Sequence, residues 1–269
     1  MKRATVAGLR IEKTIFVITC VIRMYEVGKT ARVSAMILFK DRLDAGTKLA
    51  GKIHLVKDDK NPIVLGIPRG GISVGYPIAV KLNCLLEPIT LRKLPLPQND
   101  QMGFGAVVLD KKVMLNKKLI DAGYVSQSEI DAIVDEVYEE VLRRDRLYRG
   151  SAPFPDLQGR TGIIVDDGLA TGFTMLAAIN FAKERNALKI RCTVPVAHDD
   201  AYNLVSHEVD SIICLHIDRG YSFAVASFYR SFPDMEDIEV ISILKKIRQR
   251  DGRRGNDEKI ATGTERGTV

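Results

Sequence analysis

The chain has no tryptophan, four histidines and four cysteines in 269 residues. Cys20, Cys84, Cys192 and Cys214 stand far apart with no C-x-x-C pair, so the sequence offers neither a thiolate clamp for zinc nor a dithiol redox couple. Their apolar surroundings suit the reduced thiols of a cytoplasmic protein rather than a secreted disulfide framework. Long apolar runs are missing as well. The longest uncharged one, residues 14–22, is pinned between Lys13 and Arg23; it is less than half the roughly 20 residues a membrane helix needs. With 46% hydrophobic and 28% charged residues, the composition excludes wholesale disorder, collagen-like repeats and a coiled coil.

Basic residues are in excess, but not where a nucleic-acid reader would place them. The formal net charge is +6; residues 1–35 hold seven Lys/Arg against two Glu, and residues 245–269 hold eight against four Asp/Glu, leaving −3 on residues 36–244. A folded nucleic-acid reader concentrates its basic residues on the folded part, so nucleic acid is not an expected partner. Residues 1–35 combine Lys2-Arg3, an apolar stretch and a cleavage-like Val33-Ser34-Ala35. Yet Arg23, Glu26, Lys29 and Arg32 separate parts that a signal peptide keeps adjacent. The segment is an N-terminal extension of unknown status, and Met36 is an alternative start. Residues 247–269, with Asp251-Gly252-Arg253-Arg254-Gly255-Asn256 and no apolar face, read as a disordered basic tail. One domain, 36–246, lies between them.

Within that domain the apolar pattern switches repeatedly between two periods. Residues 44–56 and 73–82 show helical spacing, and the capping box Ser126-Gln127-Ser128-Glu129 opens a helix to about Tyr148. That helix pairs Glu139 with Arg143 and Glu140 with Arg144 at i,i+4. Short apolar runs at 63–67, 86–91, 104–109, 162–166, 187–196 and 212–215 read as strands, and a further helix follows Gly172. Pro95-Leu96-Pro97-Gln98-Asn99-Asp100-Gln101 reads as a long loop. Strands alternating with helices predict an α/β fold with a mostly parallel central sheet flanked by helices. Ligands then belong outside the carboxyl ends of the strands.

The turn after Val165 carries the chemistry: Asp166-Asp167-Gly168-Leu169-Ala170-Thr171-Gly172-Phe173-Thr174. Two adjacent carboxylates at the end of a buried strand are costly to desolvate unless something engages them, and a ribose cis-diol presents two matching donors. The amides where the next helix begins, with the hydroxyls of Thr171 and Thr174, suit a phosphate dianion. Gly172 lets the backbone approach it without a Cβ.

An apolar strand, two acidic residues and then T-G-x-T resembles the 5-phosphoribosyl-1-pyrophosphate (PRPP) loop of type I phosphoribosyltransferases. Here it reads IIVDDGLATGFT. The likeness extends over most of 36–246, through FKDRLDAG, IPRGG, LRKLPLPQNDQMGFGAVV and FAVASFYRSF, to a poorly characterised group of predicted phosphoribosyltransferases. It implies a Rossmann-like fold with a small C-terminal hood, and transfer of the 5-phosphoribosyl group from PRPP to an acceptor nitrogen, such as that of a nucleobase, with release of pyrophosphate. It further implies a homodimer and a place in nucleotide and nucleoside metabolism. Asp166, Asp167, Gly168, Ala170, Thr171, Gly172 and Thr174 would then hold the ribose and its 5-phosphate, with Asp166, Asp167 and Lys93 catalytic. Arg69, Gly70, Gly71, Arg92 and Lys93 would hold pyrophosphate, the last two from a mobile loop. Mg²⁺ is implied, bound mainly through PRPP, with no direct protein ligand. Ala170 stands where 6-oxopurine relatives carry a further Asp, which weakens that acceptor class. Phe223, Phe228 and Tyr229 are candidates for an acceptor hood, with Asp218 and Arg219 nearby. His198-Asp199-Asp200 reads as a loop and helix N-cap rather than a metal site. The alternative is a non-catalytic PRPP-binding regulator, against which the leaving-group cations Arg92 and Lys93 argue.

Overall fold

Strands buried on both faces read as unbroken apolar runs, and two such runs form the centre of this molecule. In the computed structural model, which describes residues 37–54 and 59–263, five parallel strands make the main sheet. They are β1 (Ile63–Gly66), β2 (Leu85–Pro88), β6 (Thr161–Val165), β7 (Lys189–His198) and β8 (Ser211–Asp218), in the spatial order β2-β1-β6-β7-β8. Every residue of β1 and β6 is buried. Alternate side chains serve opposite faces. Val64, Ile163 and Val165 pack on one side against α1 (Arg42–Lys52), α2 (Gly70–Leu82) and the start of α7 (Asp237–Gly263), through Leu49, Ile78 and Leu244. Ile63, Leu65 and Ile164 pack on the other side against Met175, Ile179 and Phe181 of α5 (Phe173–Glu184).

The chain leaves β1 for β2 on one side, and β6 joins β1 on the other. The order therefore reverses between β1 and β6, and the crevice at their carboxyl ends is where such sheets bind ligands.

The stretch 95–101, read from sequence as a loop, is instead the tip of an antiparallel hairpin. β3 (Leu91–Leu96) pairs with β4 (Asn99–Val108), and β4 with β5 (Val113–Leu115). Pro95 sits at a register shift between the two strands, a place where its missing N–H is tolerated. A short helix, α3 (Lys117–Asp121), follows β5. Leu94, Leu96 and Phe104 bury against Ile130, Val134 and Val141 of α4 (Gln127–Arg149). The run 86–91 accordingly divides into β2 and β3 rather than forming one strand. The expected capping box is present: Ser126 N donates to Glu129 Oε2 at 2.8 Å, and Glu129 N to Ser126 Oγ at 3.4 Å. Arg143 and Arg144 both turn to Glu140.

Residues 247–263, expected as part of a disordered tail, continue α7. Ile247 is buried beside Val240 and Leu244, completing an apolar stripe that the polar composition of the segment hides. Arg248 Nη1 and Arg250 Nη1 donate to the carbonyls of Tyr148 and Val80 at 3.1 and 3.0 Å. The expected first helix ends at Lys52, and position 56 lies outside the described residues, as do residues 1–35. Among the described residues no helix is long and apolar enough to cross a membrane.

Candidate active site

The β1 and β6 turns touch. Ile67 N donates to Val165 O at 2.9 Å, and the two glycines that follow make the contact possible. A Cβ on Gly70 would strike the Asp167 carboxylate, and one on Gly71 the Val165 carbonyl. The Pro68–Arg69 peptide bond is cis. On the β6 side, Gly172 takes φ +86° as it leads into α5, a left-handed conformation that glycine reaches without Cβ strain. Leu169 anchors this turn to β7: its amide donates to Val196 O and its carbonyl accepts from His198 N, both at 2.9 Å.

The paired carboxylates lie at the junction. Asp167 N donates to Asp166 Oδ1 at 2.8 Å, and Asp167 Oδ2 accepts from Arg42 Nε at 2.7 Å. Burial pushes the Asp166 carboxyl well above the usual carboxylate range, and the neighbouring Asp167 charge adds to the rise. Asp167 is also raised by burial, with Arg42 pulling against it. Two acids in this state gain from a ligand that supplies hydroxyl donors or a cation.

Two cavities open here, the first on both acids and the second on Asp166. The first, about 280 Å³, is lined by Arg42, Arg69, Arg92, Lys93 and Arg144 together with Asp166, Asp167 and Asp234. The second, about 380 Å³, is lined by the turn 168–175 and by Gly103, Gly105 and Asn116 of the hairpin region. Lys93, Asp166 and Thr174 line both. Arg69, Gly70, Arg92 and Lys93 thus gather with the two acids, while Gly168, Ala170, Thr171 and Gly172 line the adjoining space. Gly71 supports the turn from behind, its amide donating to Ile67 O at 2.9 Å. Arg92 Nη1 lies 3.3 Å from Glu140 Oε1.

The hood candidates separate. Phe228 and Tyr229 are buried, 6% and 5% exposed, against Phe39, Ala45 and Val196. The Tyr229 hydroxyl donates to Asp167 O at 2.6 Å, so this ring supports the acidic turn from below. Phe223 is half-buried and meets the His198 ring edge-on at 5.7 Å. His198 caps α6 (Asp199–Ser206), its Nδ1 accepting from Asp200 N at 3.3 Å. Arg219 Nε lies 3.6 Å from Asp199 Oδ1, and Asp218 ends β8.

Sequence reading assigned no role to Arg42, Arg144 or Asp234. Arg42 joins three segments: besides Asp167, its Nη1 donates to Pro233 O at 2.7 Å, and its guanidinium stacks 3.7 Å from the Phe232 ring centroid. FKDRLDAG contains Arg42 and FAVASFYRSF ends on Phe232, which is the signal that was available. Arg144 and Asp234 carried none.

Together, a parallel sheet, a switch-point crevice and an acidic pair facing cations define a type I phosphoribosyltransferase fold. Residues 37–227 match the model of the phosphoribosyl transferase domain, and the chain belongs to that family. Two Mycobacterium tuberculosis proteins named "Putative phosphoribosyl transferase" are each 35% identical over 212 residues, covering 78% of this chain and 47% of theirs. The chain thus spans about half the length of these curated relatives. The crystal structure of TT1426 from Thermus thermophilus superposes with a TM-score of 0.64 at 29% identity, covering 77% of this chain and 98% of that one.

Proposed function

We propose that this protein transfers the 5-phosphoribosyl group of PRPP to an acceptor nitrogen, of a nucleobase or a similar small compound, with departure of pyrophosphate. One observation carries the reading: a cationic cavity, an acidic pair and a small-residue turn at a helix start follow one another without a break. That is the order of pyrophosphate, ribose diol and 5-phosphate along PRPP.

In this reading Asp166 and Asp167 accept hydrogen bonds from the two ribose hydroxyls and stabilise positive charge developing at C1. Thr171, Gly172 and Thr174 receive the 5-phosphate at the start of α5, where free amides and the helix dipole favour a dianion. Arg69, Arg92 and Lys93 face the pyrophosphate, and cations placed where charge develops on a leaving group lower the barrier. Attack by the acceptor nitrogen on C1 forms the C–N bond as the C1–O bond to pyrophosphate breaks. Phe223, from the loop after β8, is the aromatic best placed to border the acceptor.

Carboxylate oxygens are suitable donors for Mg²⁺, and the desolvated Asp166–Asp167 pair would be relieved by it. Among the described residues no cluster of three or more His, Cys, Asp or Glu could hold a metal, so phosphate and water oxygens would complete its shell. Bound with PRPP, the ion would neutralise charge on the departing pyrophosphate.

Calorimetry tests the assignment. Asp167→Asn combined with Thr171→Ala should abolish PRPP binding; unchanged affinity in the folded double variant would remove it. Pyrophosphate release from PRPP and Mg²⁺ against a panel of nucleobases and amines identifies the acceptor.

A further inference from the structure

Arg144 lies outside every motif that carries the family likeness, on a helix that otherwise backs the β3–β4 hairpin. Its side chain is 12% exposed and lines the cationic cavity with Arg69, Arg92 and Lys93. It is held through one nitrogen: Nε donates to Glu140 Oε1 at 2.8 Å and lies 4.0 Å from Asp237 Oδ1. That bond occupies Nε and restrains the guanidinium beside the cavity. Arg143 next to it meets the same two acids but from the solvent side. It grips Glu140 through two nitrogens, reaches Asp237 Oδ2 at 2.8 Å, and its side chain is 52% exposed.

The charges are arranged at a cost. Five cationic side chains and three acidic ones line the cavity, and Arg42 is already committed to Asp167. Arg92 lies close enough to Arg144 that, after burial, the Arg144 charge is the next cause lowering its pKa. Guanidinium groups brought together in a partly desolvated cavity, with Glu140 holding them from outside, favour a multiply charged anion between them.

Resting on the PRPP reading above, we propose that Arg144 is a further leaving-group residue: presented by α4 and oriented by Glu140, it binds the pyrophosphate arm together with the β1 turn. Glu140 is its positioning residue. The cavity would then close on pyrophosphate from two independent elements, the sheet and the α4 helix.

Titration of inorganic pyrophosphate with Mg²⁺, PRPP with Mg²⁺, and ribose 5-phosphate into Arg144→Gln and Arg143→Gln, each against the unaltered protein, tests this. Loss of a charge-assisted contact should weaken pyrophosphate and PRPP about tenfold or more in Arg144→Gln and leave ribose 5-phosphate within about twofold. Arg143→Gln should leave all three unchanged. Wild-type pyrophosphate affinity in Arg144→Gln overturns the inference. So does an equal loss for ribose 5-phosphate, or the same loss in Arg143→Gln, since either traces the effect to the α4 framework. Glu140 keeps a partner in each variant, so folding should survive. Should Arg144→Gln not fold, Arg144→Lys retains charge without the fork; it should weaken pyrophosphate about threefold or more, and unchanged affinity overturns the inference. If the unaltered protein binds neither PRPP nor pyrophosphate, the functional reading falls with it; if it binds both and Arg144→Gln does too, only this inference falls.

Discussion

Arg42 Nε donates to Asp167 Oδ2 at 2.7 Å across 125 residues of chain, joining the first helix of the domain to the acidic turn after β6. The pair is largely buried, with side chains 10% and 19% exposed. Removing one member of such a pair strands the other's charge. Arg42→Ala is expected to lower stability by about 3 kcal/mol and to weaken PRPP binding by letting Asp167 swing free. Arg42→Lys keeps the charge but cannot match the planar stack on Phe232 or serve Asp167 and Pro233 together, so it should fall between. Urea unfolding and calorimetry on both variants check this. PRPP affinity unchanged in Arg42→Ala would show that Asp167 is held by something else.

Asp166 makes stability depend on pH in a stated direction. Burial, and then the Asp167 charge, raise its folded-state pKa, so the folded chain keeps a proton that the unfolded chain has released. Stability should therefore fall as pH rises from the ordinary carboxylate range through the raised value. Asp167, raised in the same direction, adds to the trend. In Asp166→Asn one ionisation is gone, and the fall as pH rises above the ordinary carboxylate range should flatten. Thermal unfolding of both proteins over that rise decides it; equal slopes would contradict the burial argument. PRPP affinity should run the other way in the unaltered protein, rising with pH as the diol acceptors ionise.

Gly70 and Gly51 offer a paired test of close approach. A Cβ at Gly70 would occupy the space of the Asp167 carboxylate and approach Arg42 Nε to 2.9 Å, whereas one at Gly51 meets nothing within 4 Å. Gly70→Ala should displace the acid pair and cut PRPP affinity by an order of magnitude or more, about 1.4 kcal/mol. Gly51→Ala, in the last turn of α1, should stabilise by up to about 0.5 kcal/mol without touching binding. Matching behaviour of the two variants would refute the steric reading.

These pairs also explain what the sequence disclosed and what it hid. β1 and β6 were legible because strands covered on both faces admit few polar residues (Thr161 opens β6), and their apolar runs stand out. The 166–174 turn was legible because its acids, hydroxyls and glycine are neighbours in the chain. Arg42 was not, because Asp167 comes close to it only by tertiary packing; Arg144 showed its local pair with Glu140 but not the cavity it lines. The hairpin at 95–101 was hidden by two prolines, whose usual message is a loop; a register shift in an antiparallel pair accommodates Pro95. Residues 247–250 looked solvated since their composition is polar, yet Ile247 continues the buried face begun by Val240 and Leu244.

The two aromatics Phe223 and Tyr229 should fail differently. Tyr229 is buried, and its hydroxyl supports the acidic turn through Asp167 O. Tyr229→Phe keeps the packing and deletes one hydrogen bond, leaving a carbonyl short of its donor, a loss of about 1–2 kcal/mol in stability. Its effect on function should appear as weaker PRPP binding, with the Michaelis constant for the acceptor little changed. Phe223 is half-buried, packed against His198 and Phe228 near the carboxyl ends of β7 and β8. Phe223→Ala should leave PRPP binding within about twofold and raise the acceptor's Michaelis constant, because uniform binding of one substrate is what a bordering ring supplies. Steady-state kinetics with each substrate varied in turn separates the cases. If Phe223→Ala moved PRPP affinity and spared the acceptor, the loop after β8 would belong to the acidic turn's support, and the acceptor would have to enter from the hairpin side, past Gly103 and Asn116.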